Sequence, residues 1–541
     1  MTSRWNIQIP NAGRLALWAG AAASGLLMAV CFPPWEWNNV AWIALVPLLV
    51  VLRFADEKQG WKLGLTAGVV FWLMSIYWLT RVTVAGWIGL SLYCAGYVAL
   101  FAVVAGGWMR RFGVGRAGAN LGLMALASLT WAGLEYVRSV LLTGFPWNPF
   151  GAAQHGNLAL IQLASWGGVY AVSALIVLIN AAIALTVLRY IELKGRWTRS
   201  PHPELFVGAA VLLVTILHGA RILRNEPPAS APLRVALIQT GIPQDEKWDQ
   251  EKIELIYRRL QELTQGALLA GKPDLIIWPE TALPDDVRSS PPSYQVVYDL
   301  VTNGVPILVG SMDTAWQDEG KPIFYNSSFL FDPTGTMVQG YDKRHLVIFG
   351  EYIPWNGLVS FINALTPIQE SFSPGSTSTV FRLEQPDCAF SVLICFEDAV
   401  AKLGRESVRN GARLLINQTN DAWFDPSSAS LQHMIQSIFR CVENRVPAVR
   451  VANTGVSCTI DAKGRITSIL QDEQGHTQVI GFKTVSVEVP LEVRPLTFYT
   501  RHGDVFAQSA AGVGLAFLAA LGVRRRLART ARRNLEMTHV G

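Results

Sequence analysis

Two hydrophobic patterns divide the chain. Residues 13–223 contain long uncharged runs. Their lengths are near the roughly 20 residues that an α-helix requires to cross a bilayer. Residues 233–495 instead show short apolar runs and alternating positions, which are typical of strands and amphipathic helices in an α/β domain. A last long apolar run follows at 505–523. The pattern therefore predicts a membrane α-helical bundle, an α/β domain and a final membrane helix.

Eight apolar runs are predicted to be transmembrane helices, seven before the α/β domain and one after it. The predicted spans are 13–31, 40–53, 61–80, 83–108, 119–142, 158–190, 204–222 and 505–523. The first run also resembles the apolar core of a secretory signal, but because further runs follow at once, we interpret it as an uncleaved helix. The predicted parts are the bundle at 1–223, a linker at 224–232, the α/β domain at 233–495, the last span at 496–523 and a basic tail at 524–541.

Composition and charge support a membrane protein. Charged residues make up only 16% of the chain, against about 25% in a typical soluble domain. The net charge of +5 comes from clusters at alternate turns, so we interpret it as a topology signal, and nucleic-acid binding is not predicted. The clusters are Arg4 and Arg14; Arg53, Lys58 and Lys62; Arg110, Arg111 and Arg116; Arg189, Lys194, Arg196 and Arg199; and Arg524, Arg525, Arg526, Arg529, Arg532 and Arg533. By the positive-inside rule both termini are cytoplasmic, and residues 223–504 lie on the opposite side.

The α/β domain is predicted to contain two sheets with helices outside them. Predicted strands are 233–239, 274–278, 306–311, 325–332, 337–341, 389–395, 414–417 and 448–452, with mostly β structure at 458–490. Predicted helices are 249–269, 296–303, 400–410 and 427–444. Strands and helices in this number suggest a four-layer α-β-β-α sandwich.

One predicted strand ends in a cysteine, in the run SVLICFED at 391–398. A thiol at such a position can act as a nucleophile when a base and a cation lie near it. Taken alone, Cys395 is more simply a small core hydrophobe, as most single cysteines are. Cys388 lies seven positions earlier on the same predicted strand, so the two thiols are expected to face opposite sides. The six cysteines form no CxxC pair and the eight histidines have no ligand spacing, so no metal site is predicted.

Two other motifs place charged residues after predicted strands. In LIIWPETALP at 275–284, Glu280 follows a buried strand, a good position for a general base. In YDKRHLVIFGEYIP at 341–354, Lys343 follows a strand and Glu351 follows a glycine turn. Each motif has an ordinary alternative, a loop carboxylate in the first case and a solvated basic loop in the second.

Together, Glu280, Lys343 and Cys395 resemble the catalytic set of the nitrilase superfamily, in the same order and each after a strand. The resemblance covers residues 233–490. It implies that the glutamate is the base, that the lysine stabilises the oxyanion, and that the cysteine forms an acyl-enzyme. Physically, the Lys343 ammonium would also lower the pKa of the thiol, and one oxyanion donor is worth roughly 3–4 kcal/mol.

With membrane spans on both sides of this domain, the whole chain resembles the apolipoprotein N-acyltransferase family. The resemblance implies a bacterial inner (cytoplasmic) membrane enzyme whose catalytic domain faces the periplasm. It implies transfer of an acyl chain from a phospholipid, through a thioester on Cys395, to the N-terminal amine of a diacylglyceryl-cysteine lipoprotein. No cofactor is implied, and a monomer in the lipid bilayer is expected.

Further residues match motifs of that family or lie beside them. The supporting acids are Glu351, Glu397 and Glu443, and the substrate-binding candidates are Trp248, Phe349, Tyr352, Phe396 and Trp423. Phe396 stands where some members carry tyrosine, so a hydroxyl contact would be absent and an aromatic wall would remain. For every one of these aromatic residues, ordinary core packing is the alternative.

The predicted bundle contains two features with open interpretations. Glu135 and Arg138 lie three residues apart on one helical face, where they could line a polar cavity or form a charge pair that fixes packing. The turn GFPWN at 144–148 is rigid and aromatic, and it could anchor the membrane interface or contact substrate.

Two other functions stay open from sequence alone. A membrane-tethered amidase would resolve the thioester with water, and a transporter or scaffold would carry an inactive α/β domain. The intact Glu280, Lys343 and Cys395 set argues against the scaffold, as does the sparse charge within the predicted spans.

Overall fold

The computed structural model describes residues 11–192, 202–316, 321–352, 371–492 and 495–538. Its helices are α1 (Asn11–Ala29), α2 (Val46–Phe54), α3 (Glu57–Ser75), α4 (Val84–Phe112), α5 (Ala117–Val140), α6 (Leu158–Ile161), α7 (Ala164–Glu192), α8 (Pro203–Arg224), α9 (Ile253–Ala270), α10 (Pro291–Val301), α11 (Ala401–Arg409), α12 (Ala429–Asn444), α13 (Phe498–His502) and α14 (Val505–Thr538). Its strands are β1 (Ser230–Gln239), β2 (Leu275–Ile277), β3 (Ile307–Trp316), β4 (Pro322–Phe331), β5 (Met337–Asp342), β6 (Phe381–Leu383), β7 (Cys388–Ile394), β8 (Leu414–Thr419), β9 (Ala448–Ala452), β10 (Cys458–Ile460), β11 (Ile466–Ile469) and β12 (Gly481–Pro490). Four residues of the predicted basic clusters lie outside the described residues, namely Arg4, Lys194, Arg196 and Arg199.

Five helices in the described part of the chain are long and apolar enough to cross a membrane. They are Val84–Phe112, Ala117–Thr143, Ala164–Glu192, Pro203–Arg224 and Val505–Arg524, and two shorter apolar helices are Gly13–Ala29 and Asn38–Phe54. The remaining predicted span corresponds to α3, whose first two turns carry Glu57, Lys58 and Lys62 and are therefore less apolar. The structure thus contains an apolar helical bundle, and the number of eight spans stays a prediction.

The predicted span at 158–190 is interrupted. The short helix α6 precedes α7, and inside α7 both Gly167 and Gly168 leave helical geometry, Gly168 with φ +66°. A Cβ at Gly168 would also lie 2.7 Å from the Tyr499 ring. Only glycine accommodates this positive φ and this close approach without strain. The prediction of one continuous helix was wrong because a Gly-Gly pair can break a helix without making the run less apolar.

The α/β domain consists of two six-stranded sheets. The first has the order β12-β1-β2-β3-β4-β5 and the second the order β11-β10-β9-β8-β7-β6. Strands β1 to β3 and β7 to β9 are parallel, and the other neighbours are antiparallel. One core lies between the sheets, α9 and α10 cover the first sheet, and α11 and α12 cover the second. The predicted α-β-β-α order is therefore confirmed.

Helix α12 joins the domain to the bundle. Every residue of α12 except Leu431 is buried. Its apolar residues Ile435, Ile438 and Val442 belong to a core that continues from the second sheet into the bundle, where α12 contacts α7. The membrane part and the α/β domain therefore share one apolar core.

The domain begins and ends on neighbouring strands. β1 starts inside the predicted linker at 224–232, because Ser230 pairs with Pro490 of β12. Residues 225–229 alone connect α8 to β1, which corrects the predicted boundary. Beyond the domain, α14 continues to Thr538, so the predicted basic tail extends the last helix.

Candidate active site

Glu280, Lys343 and Cys395 meet where three strands end. Glu280 follows β2, Lys343 follows β5 directly, and Cys395 follows β7 directly. Because β2 and β5 belong to the first sheet and β7 to the second, the three residues span the gap between the sheets. The Cys395 thiol lies within electrostatic range of the Glu280 carboxylate and the Lys343 ammonium, and it packs against the core between the sheets. The structure thus brings together the three residues that the sequence indicated.

Lys343 is a buried ammonium between two carboxylates. Its side chain is 1% exposed. Its Nζ donates a hydrogen bond of 2.6 Å to Glu351 Oε1 and lies 3.6 Å from Glu280 Oε1. Burial lowers the pKa of Lys343, but the carboxylates of Glu351 and Glu280 outweigh burial and raise it above the usual value. Lys343 is therefore a permanent cation, and Glu351 has the position predicted for a second acid.

Asn326 on β4 aligns the two carboxylates. Its Nδ2 donates to Glu280 Oε1 at 2.7 Å and to Glu351 Oε1 at 3.3 Å. The other oxygen of Glu351 accepts a hydrogen bond of 2.8 Å from the Val347 backbone. Among the described residues, the partners of the Glu280 carboxylate all use Oε1. This arrangement leaves Oε2 to accept a proton.

The turn that carries Cys395 is strained. Cys395 has φ +52°, in the left-handed region that non-glycine residues seldom adopt. Its carbonyl oxygen accepts a hydrogen bond of 3.0 Å from Asn417 Nδ2 and lies 3.2 Å from His433 Nε2. These contacts stabilise a sharp change of chain direction between β7 and the 3₁₀ turn Cys395–Ala399. Strain of this kind concentrates at functional sites.

The resting thiol is protonated. Burial and the negative charge of Glu280 raise the pKa of Cys395, while Lys343 lowers it by less. Lys343 does lower the pKa of the thiol, as the sequence argument expected. The thiol pKa is nevertheless raised above its usual value, because burial is the larger effect. Formation of a thiolate therefore requires a proton acceptor, and the Glu280 carboxylate lies within electrostatic range of the thiol.

Glu397 connects the nucleophile turn to the loop around Lys343. Its buried carboxylate accepts hydrogen bonds from Ile394 N at 2.8 Å, Arg344 N at 2.7 Å, His345 N at 3.0 Å and Tyr341 Oη at 2.9 Å. Burial raises the pKa of Glu397, and the backbone hydrogen bonds partly offset that rise. Because the donors flank both Lys343 and Cys395, Glu397 positions the cation relative to the thiol.

A buried charge network supports the far side of the nucleophile turn. His433 lies between two carboxylates, with Nε2 at 2.9 Å from Asp398 and Nδ1 at 2.9 Å from Asp421. Arg450 bridges the same carboxylates at 3.1 and 2.8 Å. Burial and Arg450 lower the pKa of His433, but the two aspartates prevail and raise it to about 9. His433 is therefore charged at neutral pH, next to the carbonyl oxygen of Cys395.

Glu443 lies at the contact between the domain and the bundle. It forms an ion pair of 2.7 Å with Arg440, and its Oε1 accepts a hydrogen bond of 3.1 Å from the Val169 backbone. Val169 is the first residue after the break at Gly168, so the carboxylate caps the rest of α7, where negative charge is favourable. Its partner Arg440 donates hydrogen bonds to the carbonyl oxygens of Asp398 at 3.4 Å and Ala399 at 3.2 Å, in the turn that carries Cys395. Glu443 is thus connected to that turn through Arg440, and its supporting role stays a prediction.

Phe396 belongs to an aromatic stack that the bundle supplies. Its ring is stacked on Trp147 with centroids 6.0 Å apart and planes at 3°, and on Phe145 with centroids 6.5 Å apart. Phe145 and Trp147 come from the turn at 144–148. That turn therefore contacts the residue next to the nucleophile.

Glu135 and Arg138 hold the chain within and just after this turn. Arg138 donates hydrogen bonds of 2.5 and 2.8 Å to the carbonyl oxygens of Phe145 and Trp147. Glu135 accepts a hydrogen bond of 2.7 Å from the Phe150 backbone. Both also line a small cavity of about 30 Å³. Arg138 thus bonds to the turn itself, while Glu135 bonds to the residue two positions after the turn and to Trp131 Nε1 at 2.8 Å, which favours a positioning role for both.

The other predicted substrate-binding aromatic residues are accessible. Trp248, Phe349 and Trp423 are 43%, 38% and 40% exposed, so core packing does not account for them. Tyr352 is half-buried, and its carbonyl oxygen accepts a hydrogen bond of 2.9 Å from Phe349 N. These four residues stay candidates for substrate contact.

Sequence reasoning missed Lys247, Asn326 and the buried charge network. The Lys247 ammonium donates a hydrogen bond of 3.0 Å to the Glu280 carbonyl oxygen. Asparagine is depleted in strands, and arginine is seldom buried in an apolar core unless it is paired. Asn326 on β4 and Arg450 on β9 were therefore the residues by which sequence could have indicated these contacts.

Cys388 lies in the core between the sheets, at the start of β7. The alternation of faces does not extend to Cys395, because β7 ends at Ile394 and the next residue leaves the strand with positive φ. The premise of opposite faces was therefore wrong: both thiols border the same core, at opposite ends of one strand.

Two sheets in α-β-β-α order, with an acid, a cation and a thiol at their strand ends, define a nitrilase-like domain, here joined to an apolar helical bundle. In the described part of the chain, no group of three or more His, Cys, Asp or Glu side chains could hold a metal ion. The family model of the carbon-nitrogen hydrolases matches residues 234–493. The model of the apolipoprotein N-acyltransferase N-terminal domain matches residues 24–182.

Curated relatives match nearly the whole chain. The apolipoprotein N-acyltransferase of Geobacter metallireducens is 39% identical over 527 residues, covering 94% of this chain and 95% of the relative. Those of Gloeobacter violaceus and Chlorobaculum tepidum are each 30% identical, covering 97% and 93% of this chain and 96% of each relative. The chain belongs to the apolipoprotein N-acyltransferase family.

Proposed function

We propose that the protein transfers an acyl chain from a membrane phospholipid to the N-terminal amine of a diacylglyceryl-cysteine lipoprotein, with Cys395 as the acyl carrier. Family membership supports the acyl transfer to lipoproteins. The observation that carries the residue assignment is the meeting of Glu280, Lys343 and Cys395 at the ends of three strands.

The first half-reaction loads the thiol. Glu280 takes the proton from Sγ, and the thiolate attacks the carbonyl carbon of the phospholipid ester. The ester C–O bond breaks, and the leaving oxygen takes the proton from Glu280 to become the hydroxyl of a lysophospholipid. Lys343 stabilises the negative charge on the carbonyl oxygen, an effect worth about 3–4 kcal/mol for one donor. The acyl group remains on Cys395 as a thioester.

The second half-reaction unloads it. The α-amino group of the lipoprotein attacks the thioester carbonyl and gives its proton to Glu280. The C–S bond breaks, the amide is released, and Glu280 returns the proton to the thiolate. Glu351 and Asn326 hold Glu280 and Lys343 in place through both halves.

The charge pattern supports eight spans with both termini in the cytoplasm and the α/β domain in the periplasm. A fatty acyl chain prefers hydrocarbon to water by about 0.8 kcal/mol per CH₂, so the site should open towards the membrane. The stack of Phe396 on Trp147 and Phe145 supports this orientation, because the bundle itself supplies two of the rings. Exposed Trp248 and Trp423, with Phe349 and Tyr352, are the proposed acyl-chain and lid contacts.

Intact-mass spectrometry of the detergent-purified full chain tests the reaction. Incubation with phospholipid should add one fatty acyl group, which a diacylated lipopeptide should then remove by amide formation. Cys395→Ala should show no adduct, and Cys388→Ala should load normally.

Two results would contradict the proposal. A thioester that water discharges as fast as the lipopeptide does would indicate an amidase-type hydrolase. A folded protein that forms no adduct would remove Cys395 from the role of acyl carrier.

A further inference from the structure

A second buried lysine contacts the backbone of Glu280. Lys247 lies in the turn after β1, and its side chain is only 4% exposed. Its Nζ donates a hydrogen bond of 3.0 Å to the backbone carbonyl oxygen of Glu280. An ammonium has three donors, so in the described part of the chain two N–H groups remain for other partners.

Lys247 and Lys343 differ in whether a carboxylate is paired with their positive charge. Lys343 is paired with Glu351 and lies 3.6 Å from Glu280, whereas the ion pairs of the described residues do not include Lys247. Burial lowers the pKa of Lys247 to about 8, although the charges of Glu280 and Cys395 both act to raise it. These effects show that Lys247 lies within electrostatic range of both reacting groups. It is a cation held there without a carboxylate partner.

The charge of the cluster depends on this residue. Glu280 and Glu351 bring two negative charges and Lys343 brings one positive charge, so the three together carry one excess negative charge. A proton transfer from Cys395 to Glu280 moves this excess and does not remove it. Creating a thiolate or an oxyanion in a dry, negatively charged cluster is unfavourable. With a protonated Lys247 the cluster is neutral.

We propose that Lys247 is the second cation of the site, which neutralises the excess charge of the Glu280, Glu351 and Lys343 group and so allows the Cys395 thiolate to form. It acts from the Glu280 side, through space and through the hydrogen bond to the Glu280 backbone. The role deepens the proposed function, because the reaction requires that thiolate. It does not depend on which acyl donor or acceptor the protein uses.

Alkylation of Cys395 by iodoacetamide tests the role without any substrate. The full-length protein in detergent is labelled between pH 6 and 10, and the Cys395 peptide is quantified by mass spectrometry. The charged groups facing the thiol include Glu280, Lys343, Asp421 and Glu351, with His433 beside the Cys395 carbonyl oxygen, and all five are left intact. Lys247→Met should lower the alkylation rate by about tenfold below about pH 8, where Lys247 is protonated, and the difference should shrink at higher pH as the wild-type lysine loses its charge. Lys247→Arg keeps the positive charge and should restore most of the rate.

Exposed Lys272→Met is the matched control and should label like the wild type. Equal labelling of all variants after denaturation, and an unchanged elution volume, would show that the variants are folded alike. An unchanged profile in Lys247→Met would overturn the proposal, and so would an arginine variant as slow as the methionine variant. If the alkylation rate depends on Lys247 in this way but the wild type forms no acyl adduct with phospholipid, the proposed function fails and the inference on Lys247 stands.

Discussion

At the scale of single residues, the two oxygens of Glu280 have different tasks. Oε1 is held by Asn326 at 2.7 Å and faces Lys343 at 3.6 Å. The other oxygen is left to exchange a proton with the thiol. The negative charge of Glu280, the proposed base, also raises the pKa of Cys395, so the residue proposed to deprotonate the thiol keeps it protonated at rest. Acylation and simple thiol reactivity should therefore respond in opposite directions when this charge is removed.

Glu280→Gln tests this opposition. A neutral amide cannot take the thiol proton, so thioester formation should fall by about 10²–10⁴-fold. Without the Glu280 charge the pKa of Cys395 should decrease, so iodoacetamide should alkylate Cys395 at least as fast as in the wild type. Intact mass gives the first result and peptide mass the second. Normal acylation of this variant would remove Glu280 from the role of base.

Cys388→Ala should leave acylation nearly unchanged. Its side chain is buried in the core between the sheets, at the other end of β7 from the nucleophile. The expected cost is to stability alone, about 1 kcal/mol for a lost small core group. Intact-mass loading measures acylation, and thermal unfolding measures stability. Loss of the acyl adduct in a folded variant would mean that the geometry of β7 differs from the one described.

At the scale of elements, α12 is both the outer layer of the second sheet and the attachment to the bundle. Gln432 makes the most hydrogen bonds across this contact. Its Oε1 accepts from Trp78 at 3.0 Å, Trp147 at 2.8 Å and Asn148 at 3.1 Å, and its Nε2 donates to the carbonyl oxygens of Pro33 at 2.9 Å and Ser75 at 3.0 Å. All five partners belong to the bundle, and one of them carries the ring that stacks on Phe396. These hydrogen bonds therefore fix the orientation of the α/β domain on the otherwise apolar surface of the bundle.

Gln432→Leu should weaken this attachment. It leaves three donors and two acceptors without their partner, and an unpaired buried polar group costs about 1–3 kcal/mol. Gln436→Leu is the matched control one turn further on, since the described hydrogen bond of Gln436 is a 3.4 Å contact within its own helix. Thermal unfolding followed by tryptophan fluorescence should show a clearly larger loss for Gln432→Leu. Equal melting of the two variants would contradict the role of Gln432.

The strands and the reacting residues could be predicted because both are local. β2 and β7 are short apolar runs and β5 closes a hairpin, and Glu280, Lys343 and Cys395 follow these strands within three residues. Asn326 and Lys247 could not be placed in the site, because their contacts with Glu280 arise only when β1, β2 and β4 assemble into one sheet. The contacts of Glu443 with Arg440 and Val169 could not be predicted for a related reason: sequence shows that it lies on a helix, but not which face of that helix meets the bundle.

At the scale of the whole molecule, stability depends on pH through the buried charge network. The folded protein holds the pKa of His433 at about 9, above the usual value near 6.5, because the carboxylates of Asp398 and Asp421 outweigh burial and Arg450. His433 therefore binds its proton more tightly in the folded protein than in the unfolded chain. This contribution is complete below about pH 6.5 and is lost as the pH rises through about 9.

Thermal unfolding of wild type and His433→Gln between pH 6 and 10 tests the dependence. The wild type should be more stable by the largest margin near pH 6, and the margin should shrink as the pH passes about 9. Lys247 has a lowered pKa of about 8, so it contributes in the opposite direction, with stability gained as the pH rises from about 8 to 10.5. Lys247 is present in both proteins, so the difference between them isolates His433. A margin that stays constant across this range would contradict a charged His433.

The neighbouring positions of β1 and β12 have a consequence for how such a chain can be assembled. The polypeptide enters the α/β domain on one of these strands and leaves it on the other, with Ser230 paired to Pro490. A free-standing enzyme with its ends side by side can be inserted into a single loop of a host protein without disturbing any strand pairing. The α/β domain is thus arranged as an insertion between two helices of the membrane part. Recombination at that one loop could exchange it whole, provided that the incoming domain carried a surface like that of α12.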